Sequence, residues 1–276
     1  AAQQQAAEST ARRVGVFIGL SNYGDQAINQ LHVCHTDARE MAKVMQEKCR
    51  LDSAEVLVDE QATRAAIEKA IRRTLPAATR PGDTVFIFWS GHGSRIADDN
   101  GDEQDGFDEL LAPHDLRTTD IDSIRRTAIL DDTLCRWLQD LDGRKVVLIL
   151  DTCYGGGADK GAKGLALPGP VAAPAAGAKF DFLERELARP KDLGQGEIAV
   201  LSSAQADQLA MERREGDMSA MTYFLVRTLR EAAAPVTLKD GFDAVAAAVA
   251  RYASEHGVKQ APALIDNTTP PVYLRP

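Results

Sequence analysis

Four short apolar runs, each closed by small or polar residues, set the rhythm of this chain. They are Val14-Gly15-Val16-Phe17-Ile18-Gly19, Thr84-Val85-Phe86-Ile87-Phe88-Trp89, Val146-Val147-Leu148-Ile149-Leu150 and Ile198-Ala199-Val200-Leu201-Ser202. Continuous apolar character over so few residues predicts strands buried on both faces. A briefer strand is expected over 55–58. Between the strands the period lengthens. Ala38, Met41, Ala42 and Met45 predict a helix over 36–48, and Thr63 reads as the N-cap of a second helix whose Ile67, Ile71 and Leu75 face inward. Ile129-Leu130-Asp131-Asp132 opens a third, with Leu134, Leu138 and Leu141 on its apolar side, and two more are expected over 218–233 and 238–256. This alternation predicts an α/β fold: a mainly parallel sheet of about six strands with helices on both faces.

The texture changes after Cys153. Residues 155–179 are dense in Gly, Ala, Pro and Lys without a sustained apolar period, and the stretch 155–196 reads as a flexible linker. It divides a larger part, 13–154, from a smaller one, 197–276, that completes the same domain. Residues 1–12, which open AAQQQAAEST, read as a disordered stub, either the remnant of a removed leader or an arbitrary start. The expectation is a soluble protein, cytoplasmic or exported.

Two strand ends carry the candidate chemistry. Ser90-Gly91-His92-Gly93 closes one buried run and Asp151-Thr152-Cys153 closes another. In an open α/β sheet, catalytic groups gather beyond the carboxyl ends of the strands. If the two strands are neighbours, His92 and Cys153 face each other as general base and thiol nucleophile. A thiol attacks only as thiolate, which a nearby histidine stabilises. Acyl transfer also needs donors for the developing oxyanion, and the backbone N–H groups of Gly93 and Cys153 are the candidates. Taken singly, Cys153 also fits an inert buried thiol and His92 a satisfied turn residue.

The 276 residues, 44% hydrophobic and 26% charged, suit a folded domain, and no apolar stretch is long enough to span a bilayer. A net charge of −9 argues against nucleic acid as a partner. Four cysteines without a CxxC spacing indicate neither a disulfide framework nor a zinc site. Seven of the twelve residues from Asp98 to Glu109 are carboxylates. They form either a solvated acidic loop or a site for a hard cation such as calcium, but Gly101 and Glu103 break the EF-hand pattern.

These motifs together resemble the caspase-like cysteine peptidases, and within them the metacaspases. The likeness rests on the His-Gly and Asp-x-Cys segments, the acidic stretch Gly101–Glu109 continuing to Pro113 and Asp115, Leu31-His32-Val33-Cys34-His35-Thr36-Asp37-Ala38, and Leu201-Ser202-Ser203-Ala204-Gln205-Ala206-Asp207-Gln208. The resemblance implies a caspase-like fold, and a His92/Cys153 dyad that cuts polypeptides. It also implies an acidic S1 pocket from Asp37 and Asp151, lined by Cys34 and Ser90, that takes Arg or Lys at P1. Paired carboxylates at the base of a pocket would bind such a side chain by charge-assisted hydrogen bonds. Asp37 alone fits a helix N-terminal carboxylate equally well.

The resemblance further implies calcium activation through Asp108, Asp131, Asp132 and an acidic residue near the nucleophile, here Asp159, and a monomeric enzyme with no organic cofactor. For a protease of basic specificity, Lys160, Lys163, Lys179, Arg185, Arg189 and Lys191 become candidates for self-processing, although loop lysines are commonly just solvated. One departure stands out: Tyr154-Gly155-Gly156-Gly157 replaces the His-Ser-Gly that follows the nucleophile in many metacaspases. A catalytically silent, calcium-responsive module, a caspase relative with non-basic P1 specificity, and another thiol enzyme such as an acyltransferase remain alternatives.

Overall fold

The computed structural model describes residues 11–99, 101, 106–154, 163–167 and 197–276. In chain order these form β1 (Arg13–Gly19), α1 (Cys34–Lys48), β2 (Ser53–Val58), a composite helix α2 (Arg64–Lys69, a wide turn Ala70–Thr74, and Leu75–Ala78), β3 (Thr84–Ser90) and β4 (Gly93–Ala97). There follow β5 (Phe107–Leu111), α3 (Ile121–Thr127), β6 (Ile129–Leu130), α4 (Asp131–Leu138) and β7 (Lys145–Asp151). The last group is β8 (Glu197–Ser202), α5 (Ala220–Glu231), β9 (Val236–Thr237), α6 (Leu238–Glu255), β10 (Ala263–Asp266) and β11 (Tyr273–Arg275).

The main sheet has the order β10-β8-β7-β3-β1-β2. All its pairs are parallel except β10 against β8. The expected six-stranded α/β architecture is present. Alternation along the strands separates two cores. Val14, Val16, Ile18, Ile87, Trp89 and Leu148 point to the face covered by α2 and α4, with Ile67, Ile71 and Leu138. Phe17, Phe86, Phe88, Val147 and Ile149 point to the other face, against Met41 and Met45 of α1, Leu225 of α5 and Val245 of α6.

Local chemistry explains the boundaries. Thr63 caps α2 by accepting the N–H of Ala66, as expected from the sequence. Pro76 has no N–H to give to the preceding turn, and the wide turn just before it absorbs that mismatch. Gly19 ends β1 where a Cβ would lie 2.2 Å from the carbonyl oxygen of Cys34. Only glycine lets the first turn of α1 come so close.

The acidic segment departs from expectation. Rather than a loop throughout, it returns as β5, which pairs antiparallel with β4 and β6 in a small second sheet. Its apolar residues Ile96, Leu110, Leu111 and Ile129 join the first core. Residues 1–10 and most of the linker lie outside the described residues; Arg12, expected in the disordered stub, is instead tied to Asp83 and the Ala78 carbonyl. Among the described residues no helix is long and apolar enough to cross a membrane.

Candidate active site

Strand register brings the two motifs together. Ser90 at the end of β3 pairs with Asp151 at the end of β7, and Gly19 of β1 pairs with Ser90 on the other side. The sheet reverses direction of growth between β1 and β3, where open α/β sheets form a crevice. His92 and Cys153 each stand two residues beyond the paired Ser90 and Asp151.

His92 is 1% exposed, and its Nε2 lies 2.7 Å from the carbonyl oxygen of Asn29. A carbonyl can only accept, so in the neutral ring Nε2 carries the hydrogen and Nδ1 keeps the lone pair. Nδ1 is buried with no hydrogen-bond partner, and the backbone of Lys163 lies against the ring. The backbone N–H of His92 donates to Tyr23 Oη at 2.8 Å, and the two rings pack 5.2 Å apart. Burial pushes the imidazole pKa below its usual value, against the Asn29 contact. Burial likewise pushes the Cys153 thiol up to about 12, opposed by backbone hydrogen bonds from Ala210 and Lys163 and by the Lys163 charge. Both shifts favour the uncharged forms, the thiol of Cys153 and the neutral imidazole of His92.

Lys163, one of the six basic linker residues singled out in the sequence, fills the acidic pocket completely. Its side chain is 0% exposed, and its Nζ lies 2.9 Å from Asp151 Oδ1 and 3.5 Å from Asp37 Oδ2. Nζ also donates to Ser90 Oγ and to the carbonyl oxygen of Asp151, each at 2.8 Å. Burial alone would disfavour the ammonium, but Asp151, followed by Cys34 and Asp37, outweighs it and holds the lysine pKa above its usual value. Cys34 is buried beside this charge. All four residues expected in the pocket thus surround one cation.

The pocket walls are tied to the smaller part of the chain. Asp37 accepts from Ser90 Oγ, Ser219 N and Ser219 Oγ. Asp151 Oδ2 accepts from Thr222 N and Thr222 Oγ1. Asp37 also sits in the first turn of α1, so its two sequence readings are compatible.

The Lys163 backbone is held as firmly as its side chain. Its N–H donates to the Ala210 carbonyl, and its own carbonyl accepts from Gly93 N–H at 3.1 Å. Glycine is required there, because a Cβ on residue 93 would lie 2.7 Å from Thr152 Oγ1 and 3.0 Å from the Cys153 carbonyl oxygen.

The acidic residues divide differently from expectation. One carboxylate oxygen each from Asp98, Asp99 and Asp108 lies within 4.8 Å of the others. Asp131 and Asp132 join no such group among the described residues. They open α4, where Asp131 accepts the N–H of Asp132, and Asp132 pairs with Arg136. Asp159 lies outside the described residues, as do Lys160, Lys179, Arg185, Arg189 and Lys191. Within the cluster Arg125 Nη1 already reaches Asp99 at 3.1 Å and Asp108 at 3.0 Å. Burial pushes Asp108 up to about 6, against Arg125. An all-carboxylate oxygen set fits a hard cation, which would have to take the place of that guanidinium.

Three site residues left no mark in the sequence. Asn29 acts through its main-chain carbonyl, and Tyr23 through contacts its turn-rich segment does not announce. Glu212 accepts the N–H groups of His32 and Val33 on one oxygen, fixing the chain that leads into Cys34 and Asp37.

Comparisons with known proteins converge on the same architecture. Residues 12–273 match the model of the caspase domain peptidase family. Metacaspase-1 of Sclerotinia sclerotiorum is 30% identical over 238 residues, covering 83% of this chain and 48% of that protein. Metacaspase-1B of Aspergillus terreus is 32% identical over 159 residues, covering 53% of this chain and 39% of that protein. The chain thus spans about half the length of the curated relatives it matches. Among solved structures, caspase-1 of Spodoptera frugiperda superimposes with a TM-score of 0.62 at 15% identity, covering 96% of this chain and 90% of that one. A Geobacter sulfurreducens protein does so at 0.67 and 22% identity, with 94% of each chain covered.

Proposed function

The chain belongs to the caspase domain family of peptidases, and from that premise we propose that it is a cysteine endopeptidase that cuts after Lys or Arg and processes its own linker after Lys163. The observation that carries this reading is the seating of Lys163: ammonium between Asp151 and Asp37, carbonyl oxygen on Gly93 N–H. A chain segment held in this way is a bound substrate in all but the reaction.

The chemistry follows from the protonation states. Cys153 gives its proton to Nδ1 of His92 as the sulfur attacks the Lys163 carbonyl carbon. Negative charge builds on the carbonyl oxygen, where Gly93 N–H strengthens its hold. The tetrahedral centre collapses, the bond to Gly164 breaks, and the leaving amine takes the proton from His92. Water, deprotonated by the same nitrogen, then releases the acyl group. The buried ring keeps its orientation because Nε2–H remains on the Asn29 carbonyl.

Basic specificity rests on the two carboxylates. An Asp or Leu at P1 would leave both buried and without a cation. The dyad and the pocket walls come from one chain, which supports a monomeric enzyme. For calcium, the reading is that the ion binds Asp98, Asp99 and Asp108 in place of Arg125 and stimulates the enzyme; the carboxylate set supports it.

Fluorogenic peptides with Arg, Lys, Asp or Leu at P1, each with and without calcium, test the proposal. Arg and Lys reporters should be cut at least a hundredfold faster than the others. Mass spectrometry of the incubated chain should find a new carboxyl terminus at Lys163, lost in Cys153→Ala. No hydrolysis of any reporter would favour a catalytically silent module instead.

A further inference from the structure

We infer that β4 is the prime-side binding strand of this site and that it selects an aliphatic residue at the second position after the cut. The inference rests on the reading of Lys163 as P1. Residues 164 and 165 are then P1′ and P2′ by chain order alone.

The segment after Lys163 lies alongside β4 as a short added strand. Gly164 bridges Gly93 in parallel. Leu165 N–H donates to the Gly93 carbonyl at 3.0 Å, and the Leu165 carbonyl accepts from Ser94 Oγ at 2.7 Å. Strand addition of this kind gives affinity without reading side chains, so identity must come from what is buried. Leu165 is 4% exposed and belongs to the same apolar cluster as Ile96, Leu110 and Tyr154. Gly164 is buried as well, and the chain emerges at Ala166, which is exposed, before Leu167, which is half-buried. The subsite therefore takes Leu at P2′, while P3′ faces solvent.

Gly93 joins the two halves of the site. Its N–H holds the scissile carbonyl and its own carbonyl holds the P2′ amide, so a peptide seated by P2′ delivers P1 to the donor in register. Tyr154, which stands where the metacaspase pattern has a histidine, is buried in the same core as Leu165.

The test uses the full chain, incubated until linker cutting has stopped, and two kinds of substrate. Internally quenched peptides carry Lys-Gly at P1–P1′ and Leu, Ser or Asp at P2′. Reporters with Lys joined directly to a fluorophore have no prime side. The Leu peptide should show kcat/KM roughly 10- to 100-fold above the Asp peptide, the range a pocket built for an apolar side chain can supply. Reporters cut normally with a P2′ series flat within twofold would overturn the subsite and leave the P1 reading standing. Failure to cut either kind of Lys substrate would overturn the P1 reading, and the subsite with it.

Discussion

The backbone N–H of His92 is held by the phenolic oxygen of Tyr23, 2.8 Å away, while the ring of the same tyrosine packs against the imidazole. One residue from the loop after β1 thus fixes both the main chain and the ring plane of the base. Tyr23→Phe keeps the packing and removes the hydrogen bond, leaving a buried N–H unpaired at a cost of about 1–3 kcal/mol. The expected result is a roughly tenfold fall in kcat with KM little changed, measured on the Lys reporter. A merely structural tyrosine would lower the melting temperature without separating kcat from KM.

Burial of His92 has a pH signature. Its folded pKa lies below the usual histidine value, so below about pH 6.5 the unfolded chain takes up a proton that the folded chain refuses. The unfolded state binds more protons in that window, and stability is lost as pH falls through it. Asp108, raised to about 6, contributes in the opposite sense, because its folded form holds a proton that the unfolded one releases. Melting temperatures of wild type and His92→Gln at pH 7.5 and 5.5 separate the two effects. Wild type should lose more on acidification than the variant, which lacks the histidine and keeps the raised carboxyls of Asp37 and Asp108.

Among the described residues, Lys163 is the cation that lies between two fully buried carboxylates. Lys163→Met leaves both without it, which for buried pairs destabilises by about 3–5 kcal/mol. Cutting at this site should disappear together with that stability. Lys163→Arg should restore the cut, because a guanidinium meets paired carboxylates equally well. Intact mass of the Lys163 variants with Cys153 present reads the cut, and chemical denaturation of the same variants in the uncut Cys153→Ala background reads the stability.

Arg125 is the resident cation of the acidic cluster, held by Asp99 and Asp108. Arg125→Gln removes this cation from Asp99 and Asp108, so the calcium-free melting temperature should fall. Calcium no longer has a guanidinium to displace, so its half-saturating concentration should drop about tenfold. Calorimetric titration measures the second effect directly. Unchanged affinity would remove this cluster from the calcium reading.

Much of the fold was legible because buried parallel strands announce themselves as unbroken apolar runs, as at 84–89 and 146–150. The second sheet was not. Along β5 the carboxylates of Asp108 and Glu109 outweigh the two leucines that follow them, and the pairing of Leu110 with Ser94 and Leu130 joins distant parts of the chain. His92, Asp151 and Cys153 could be singled out because they stand at or just beyond strand ends, whereas Asp37 lies in the first turn of α1 and enters only through the family resemblance. Asn29 contributes only a carbonyl, which every residue possesses. Lys163 could be named only as one of six, since nothing in a Gly- and Ala-rich linker distinguishes the lysine whose backbone reaches Gly93 and Ala210.

The sheet runs without interruption from β7 to β8, the strands on either side of the linker. A nick after Lys163 would therefore separate covalent pieces but not the particle. Arg13 would still clasp the carbonyls of Tyr273 and Leu274, and Ser219 and Thr222 would still steady Asp37 and Asp151 from across the break. Such a protein should run as two bands under denaturing conditions and as one peak on native size exclusion. The amino-terminal fragment would carry Cys34, Asp37, Ser90 and Asp151, but the Ser219 and Thr222 donors that hold its two carboxylates lie on the other fragment, so the cut form would work as a two-chain unit.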